Sequence, residues 1–313
     1  AASDVYKRQG DIPRDAHIEG SVEGECLFAR AAGSNLRILA DNIWDYSRDD
    51  IPEAWRLIGE DPRDDVRAPQ FAQLVRAFMP DVLDLQEYSL HMHQRFYPLI
   101  RRYGYRIAYE GEEPWNNTPI FYNPETVELV DVNYVLYAPS CWSNIGSKSY
   151  TSAVFRKKDT GRLFAVVNTH LWWKSEAAQP GSTYARAAQV RLMMAEAEVL
   201  KNKYGCTIFV TGDMNAYEDS LPIRQFIEGG YTPCYKAATD ATDNGNGHHI
   251  CGPKDGYSRT SRRRSPDRET GAIDHCFIYN AQEGVAVKVF DCITARFTVK
   301  LTDHYPYLID AAL

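Results

Sequence analysis

The chain has no long apolar run. No window of its 313 residues approaches the roughly 18 consecutive uncharged apolar residues that a membrane-crossing helix needs. The first ten, AASDVYKRQG, lack the apolar stretch of a signal peptide. No membrane span is expected, and the compartment stays open between the cytoplasm and export with the leader removed. Positive charge is also scarce, with 35 Lys and Arg against 42 Asp and Glu for a net −7. A nonspecific nucleic-acid coat relies on many cations neutralising phosphates, so that role is disfavoured, although a nuclease with a local metal site is not. The seven cysteines are odd in number and form no CxxC pair, which removes the ordinary zinc ribbon. A Cys234–Cys251 disulfide is conceivable, but buried free thiols are the favoured reading. There is no internal repeat, no heptad pattern and no Pro/Ser-rich linker.

What is present is a globular composition: 44% apolar and 25% charged residues exclude a disordered or collagen-like chain. Residues 1–33 read as an N-terminal extension, partly non-native or poorly ordered, because Ala1–Gln9 looks like translated adaptor or vector sequence. Residues 34–313 read as one domain.

Short β-branched and apolar runs predict strands near Leu36–Ala40, Val82–Gln86, Tyr105–Tyr109, Pro119–Tyr122, Val127–Tyr134, Thr151–Arg156, Leu163–Thr169, Thr207–Thr211, Ile273–Tyr279, Val285–Phe290 and Tyr305–Ile309. Lys157-Lys158-Asp159-Thr160-Gly161 between two of them predicts a hairpin turn. Helical spacing is best over Tyr184–Tyr204, with Arg67–Met79, Met92–Arg102 and Leu221–Ile227 as shorter candidates. Pro80 ends the second of these four, since proline cannot continue a helix. Thr239–Asp255 and the arginine-rich Tyr257–Gly271 read as long polar loops.

The informative feature is a series of oxygen and imidazole groups at predicted strand ends. Asn42 follows LRILA, Glu87 follows VLDLQ, His170 follows LFAVVNT, and Asp213 and Asn215 follow TIFVTG. Asp274 lies in GAIDHCFIY, and Asp303-His304 precede YPYLI. Each alone has a bland explanation as a solvated strand end, a turn or a satisfied interior histidine. Together, strand ends converging on one sheet edge would gather carboxylates, imidazoles and amides into one cleft. Oxygen donors suit a hard cation such as Mg²⁺, Mn²⁺ or Ca²⁺ better than zinc.

The ordered series LRILADNIW, DLQEYS, TPIFYN, VVNTHLWWKS, VTGDMNA, IDHCFI and LTDHYP resembles the endonuclease/exonuclease/phosphatase superfamily over about residues 35 to 310. The resemblance implies a four-layer α/β sandwich of two packed mixed β-sheets flanked by helices. It also implies a divalent-metal-dependent phosphoesterase. Asn42, Glu87 and Asp303 then look like the metal-site residues, with Glu87 the principal ligand, and Mg²⁺ or Mn²⁺ the expected ion, Ca²⁺ also being compatible. Asp274 would orient and charge His304, while His170, Asp213 and Asn215 would hold the scissile phosphate and position water or protonate the leaving oxygen. His275 stands where the family usually has an aromatic, and is expected to face the core or a neighbouring loop.

Trp44 beside Asn42, and Trp172, Trp173 and Lys174 beyond His170, are candidates for substrate stacking, with ordinary packing an equally weighted alternative. The arginines at 259–268 read as a solvated loop more than as a phosphate grip. His91 and His93, and the cluster Cys234, His248, His249 and Cys251, fit no standard zinc spacing, and exposed loop histidines are the simpler reading. The expected substrate is a phosphodiester, either a nucleic acid not favoured as duplex or a small-molecule or lipid-headgroup ester. A phosphomonoesterase on sugar or inositol phosphates is the alternative, and a non-catalytic binding module on the same fold is the alternative from another class. The oligomeric state is not legible.

Overall fold

The structure, a computed structural model, describes residues 28–46, 50–51, 56, 61–111, 115–137, 148–242, 272–293, 296–299 and 301–313. The strands are β1 (Leu36–Asn42), β2 (Val82–Gln86), β3 (Arg106–Ile107), β4 (Ile120–Tyr122), β5 (Val127–Leu136), β6 (Ser149–Lys157), β7 (Leu163–His170), β8 (Thr207–Asp213), β9 (Thr232–Pro233), β10 (Asp240–Thr242), β11 (Asp274–Tyr279), β12 (Ala286–Cys292) and β13 (Tyr307–Ala312). The helices are α1 (Asp64–Phe78), α2 (Leu90–Arg101), α3 (Ser182–Tyr204), α4 (Leu221–Glu228), α5 (Cys234–Ala237) and α6 (Arg296–Val299).

They form two mixed sheets, one ordered β10-β12-β13-β1-β2-β4-β3 and the other β5-β6-β7-β8-β11-β9. Three apolar cores fix the layers. Helices α1 and α2 bury Phe71, Val75 and Phe96 against Leu39, Leu83 and Leu85 of the first sheet. Helix α3 with α4 buries Val190, Met193, Ile223 and Phe226 against Ala165, Val167, Ile208 and Val210 of the second. Between the sheets lie Ile38, Val82, Phe155, Phe164, Val166, Phe209 and Ile309. Helices, sheet, sheet, helices is the four-layer α/β sandwich the sequence pointed to.

Local chemistry sets the element ends. Ser89 caps α2 by accepting the Met92 amide at 3.0 Å, and α3 stops at Gly205 in the left-handed region, φ 60°. Helix α1 stops one residue before the expected Met79, which itself turns left-handed at φ 44°. The 157–161 turn closes the β6–β7 hairpin, with Gly161 at φ 71°. Strands β9 and β10 had no counterpart in the sequence reading. A two-residue strand ending on Pro233 carries no usable alternation, and proline is accommodated because β9 lies at a sheet edge. From Phe28 onward the N-terminal segment packs on the first sheet's helix layer. The Phe28 ring stacks 4.5 Å from Phe78 and its carbonyl accepts from buried Arg37 at 2.6 Å. Among the described residues no helix is long and apolar enough to cross a membrane.

One consequence of strand periodicity positions everything that follows. Alternate residues of the central strands face the space between the sheets, and they run from apolar to polar toward one edge. The series are Ile38, Ala40, Asn42 on β1; Val82, Asp84, Gln86 on β2; Val166, Asn168, His170 on β7; and Phe209, Thr211, Asp213 on β8. Strand β11 runs antiparallel to β8 and opens on Asp274, directly opposite Asp213.

Candidate active site

Strands β1 and β2 are parallel, as are β7 and β8, so Asn42, Glu87, His170 and Asp213 stand at C-terminal strand ends on one edge. Ligand sites form readily where strands leave the core in this way. Sharp backbone turns aim the side chains: Trp44, Glu87 and Asn215 are three of the five non-glycine residues with positive φ among those described, at 57°, 55° and 47°. Such conformations are strained for non-glycine residues and collect at functional sites. Gly212, at φ 144°, cannot be replaced there, since a Cβ would run into the Thr169 carbonyl on the neighbouring strand.

Asp213 is the hub. Its Oδ2 accepts from Asn42 Nδ2 at 2.9 Å and lies 3.4 Å from His170 Nε2 and 3.9 Å from His304 Nε2. Its Oδ1 accepts the Asn215 amide at 2.9 Å. Asn42 Nδ2 also reaches Glu87 Oε1 at 3.2 Å, so this amide braces two carboxylates, while its Oδ1 accepts the Trp44 amide. Ligation of a metal by Asn42 asks for a half-turn of the amide and release of Trp44. Glu87, His170 and Asp213 each offer a ligand atom within 4.8 Å of the others, and Asp213, Asp274 and His304 form a second such group. An oxygen-rich set with one imidazole fits a hard divalent cation. Asp303 lies on the His304 side, Oδ1 being 3.9 Å from Nε2.

His304 Nδ1 is 2.7 Å from Asp274 Oδ2, the dyad that the resemblance implied. Burial pushes the His304 pKa down, but Asp274, Asp213 and Glu87 outweigh it and raise it to about 9. His170 goes the other way, lowered to about 4, first by burial and then by the adjacent Lys148 ammonium. Burial would raise Glu87, yet the facing His170 and Lys148 and the Asp45 amide bring it down to about 2. At neutral pH the cleft therefore holds an ionised Glu87, a neutral His170 and a protonated His304. Two imidazoles that share the Asp213 Oδ2 oxygen are driven to opposite states by their neighbours.

Lys148 was missed by the sequence reading. Its Nζ sits 2.7 Å from Nε2 and 2.9 Å from Nδ1 of His170, fully buried, with its pKa lowered to about 8 by burial. Hairpin counting does not find it: the β6–β7 register sets Lys148 opposite Leu171, on the helix-side face with Tyr150, and the bend at Lys148 before β6 is what brings its ammonium to His170. Arg67 of α1 was also missed. From behind the site it donates to the carbonyls of Ile43, Trp44 and Leu301 at 2.6–2.9 Å, tying the chain after β1 to the chain before Asp303.

The other candidates fall in different surroundings. His275 is buried, its Nε2 2.7 Å from the Ala216 carbonyl, so it fastens the loop that carries Asn215. Trp172 is buried with its indole N–H on Ser182 Oγ, whereas Trp173 is 55% exposed. Lys174 Nζ lies 5.6 Å from the Trp173 ring centre. Trp44 is half-buried, tilted on Tyr46 and faced by Arg67. His91 meets Asp64, and His93 lies between Tyr88 and Glu110. Neither belongs to a metal-binding group among the described residues. His248, His249, Cys251 and the 259–268 arginines lie outside the described residues.

Residues 54–304 match the profile of the Endonuclease/Exonuclease/phosphatase family. The chain belongs to that family. It is a phosphoesterase, as the family implies. No curated protein matches the sequence as a relative. Solved structures share the fold at low identity. Bacteroides thetaiotaomicron VPI-5482 mannosyl-6-phosphatase Bt3783 superimposes with TM-score 0.67 at 18% identity, over 89% of this chain and 100% of that one. The human Nocturnin catalytic domain with bound sulfate gives 0.62 at 18%, over 90% and 95%. D. rerio TDP2 with a single-strand DNA product gives 0.59 at 16%, over 88% and 98%.

Proposed function

We propose that this phosphoesterase hydrolyses phosphodiester bonds of a small-molecule, lipid-headgroup or non-duplex nucleic-acid substrate. Mg²⁺ or Mn²⁺, with Ca²⁺ also compatible, is held chiefly by Glu87, with Asn42 and Asp303. The observation that carries the reading is the gathering of Glu87, His170 and Asp213 and of Asp213, Asp274 and His304 around one carboxylate. The bound ion would supply charge stabilisation at the phosphoryl oxygens. Neutral His170 donates to a non-bridging oxygen, and the Asn215 amide adds a second fixed donor, both serving charge that grows in the transition state. Asp213 orients the attacking water and accepts its proton. His304, kept protonated by Asp274, delivers a proton to the leaving oxygen. Trp173 and Lys174 face the group beyond the phosphate, Trp172 supporting them from beneath, with Trp44 on the opposite rim.

Lys148 favours a second reading, a phosphomonoesterase on sugar or inositol phosphates. A monoester arrives as a dianion, and a buried ammonium beside His170 is the additional charge it requires. The shared fold includes both a mannosyl-6-phosphatase and a structure with a DNA product, so either ester class has a counterpart.

The deciding experiment is a screen with added Mg²⁺ or Mn²⁺ on bis-p-nitrophenyl phosphate, p-nitrophenyl phosphate, single- and double-stranded DNA, RNA, sphingomyelin and inositol phosphates. Turnover on diesters alone, abolished by EDTA and lost in Glu87→Gln, is the expected result. Turnover on monoesters alone selects the second reading. No turnover on any of these esters would contradict both readings of the substrate.

A further inference from the structure

The sequence reading left Cys234 without a settled partner, and the structure offers one other than Cys251. Cys234 Sγ lies 3.0 Å from Cys276 Sγ, both thiols reduced and buried between the sheets. The contact follows from strand register. Strand β11 pairs with β9 antiparallel, Phe277 opposite Pro233 and Ile278 opposite Thr232, so Cys276, just before Phe277, lies beside Cys234, which follows Pro233 as the first residue of α5. Both side chains join the same inter-sheet cluster, so their Cβ atoms point to the same side.

We propose that Cys234 and Cys276 form a disulfide under oxidising conditions, joining the start of α5 to β11 and closing residues 235–275 into a covalent loop that ends two residues beyond Asp274. The reaction is thiol–disulfide exchange with a small-molecule disulfide such as oxidised glutathione. A Cys234 thiolate attacks one glutathione sulfur and releases the first glutathione thiol. The Cys276 thiolate then attacks the Cys234 sulfur of the mixed disulfide, forms the Cys234–Cys276 bond and releases the second. Two protein thiols lose two electrons and two protons, which two glutathione thiols carry away. Burial blocks this in the closed fold, but β9 is a two-residue edge strand, the kind of element that opens locally. The two sulfurs already touch at 3.0 Å, so shortening to a bond of about 2.05 Å asks little backbone movement, and the bond constrains the unfolded chain.

The test uses the full chain equilibrated with oxidised or reduced glutathione, acid-quenched, unfolded and alkylated with N-ethylmaleimide before trypsin and mass spectrometry. After oxidation the expected species is peptide 225–236 linked to peptide 269–288, each lacking maleimide, together with a Tm several degrees above that of the reduced protein. Cys276→Ala and Cys234→Ala should each abolish the linked peptide and the oxidant-dependent Tm rise. The double Cys234→Ala/Cys276→Ala variant covers the case in which one alanine alone unfolds the chain, and it should show the same Tm with and without oxidant. Full alkylation of both cysteines after oxidation, or a link from Cys234 to Cys251 instead, would overturn the proposal. None of these readouts involves turnover, so they stand whichever ester the enzyme cleaves.

Discussion

The space between the two sheets has two ends, held by different chemistry. At one end the contacts are apolar, with Phe164 packed on Phe155 at 5.5 Å among Val166, Phe209 and Ile309. At the catalytic end the sheets are joined by hydrogen bonds that cross between them. Asn168 of the second sheet donates to the Leu85 and Pro119 carbonyls at 2.8 and 2.9 Å and accepts from Gln86 Nε2 at 2.7 Å. Thr211 donates to Asp84 at 2.7 Å. Tyr307 donates to the His275 carbonyl and accepts the Gly212 amide, both at 2.8 Å. Apolar packing is non-directional and tolerates small shifts, whereas these bonds fix one sheet's register on the other. A site assembled from both sheets, Asn42, Glu87 and His304 from one and His170, Asp213 and Asp274 from the other, requires that fixed register.

The largest expected effect lies at the polar end. His304→Ala should lower kcat by about 10²–10⁴-fold, the usual scale for a positioned acid–base group, with an unchanged circular dichroism spectrum. Undiminished turnover would remove His304 from the reaction. At the apolar end Phe164→Ala should cost about 3–5 kcal/mol of stability in urea unfolding, the range for a fully buried aromatic. The folded fraction should keep its kcat/KM. A large loss of kcat in folded Phe164→Ala protein would break the comparison, since it would mean that apolar packing also sets the site.

Asp84 sharpens the same contrast through pH. It is wholly buried, Oδ1 has no partner, and burial raises its pKa to about 7 against the single opposing bond from Thr211. A carboxyl that holds its proton more tightly when folded destabilises the fold as it ionises. Stability is thus lost as pH rises from about 4 to about 7, by at most roughly 4 kcal/mol. Asp84→Asn should abolish that slope while the other groups titrate as before. Paired urea titrations at pH 5 and pH 8 read the difference, and parallel behaviour of the two proteins would refute it. Asn168→Ala, which strands Gln86 and two carbonyls, should cost about 1–3 kcal/mol and, unlike Phe164→Ala, should also lower kcat/KM.

The gradient behind these differences was legible in the sequence. VVNTH, IFVTGD and LRILADN each pass from apolar to polar at alternate positions, which places Asn42, His170 and Asp213 on the inner face at the emerging end. The Asp274–His304 pairing was not legible in the residues themselves, since IDH and TDH each set a carboxylate beside a histidine and nothing in either word says which two meet; only the family resemblance implied it. Lys148 was not legible either, because a lysine before a strand looks like a solvated turn, and strand alternation would put it on the face away from His170; a bend at Lys148 decides the contact. Nor was the carbonyl partner of His275, or the grip of Arg67, which depends on three backbone oxygens from distant segments. Side chains that bond to backbone leave no residue pattern of their own, and tertiary contacts decide them.

The smallest predicted effect on stability concerns the two tryptophans, adjacent in sequence and opposite in environment. Trp172 is held between Gln189, which accepts its backbone amide at 2.9 Å, and Ser182. Trp173 stands 55% exposed with Lys174 over its ring. Trp173→Ala should change unfolding stability by no more than about 0.5 kcal/mol, as is usual for an exposed position. If Trp173 meets the group beyond the phosphate, as proposed, its loss should be read in KM more than in stability. Stacking of that group is worth about 1–3 kcal/mol in nucleic-acid sites, so KM for the preferred ester should rise at least several-fold with kcat nearly constant. An unchanged KM would assign the outer ring no part in binding and leave Trp44 as the aromatic on the rim.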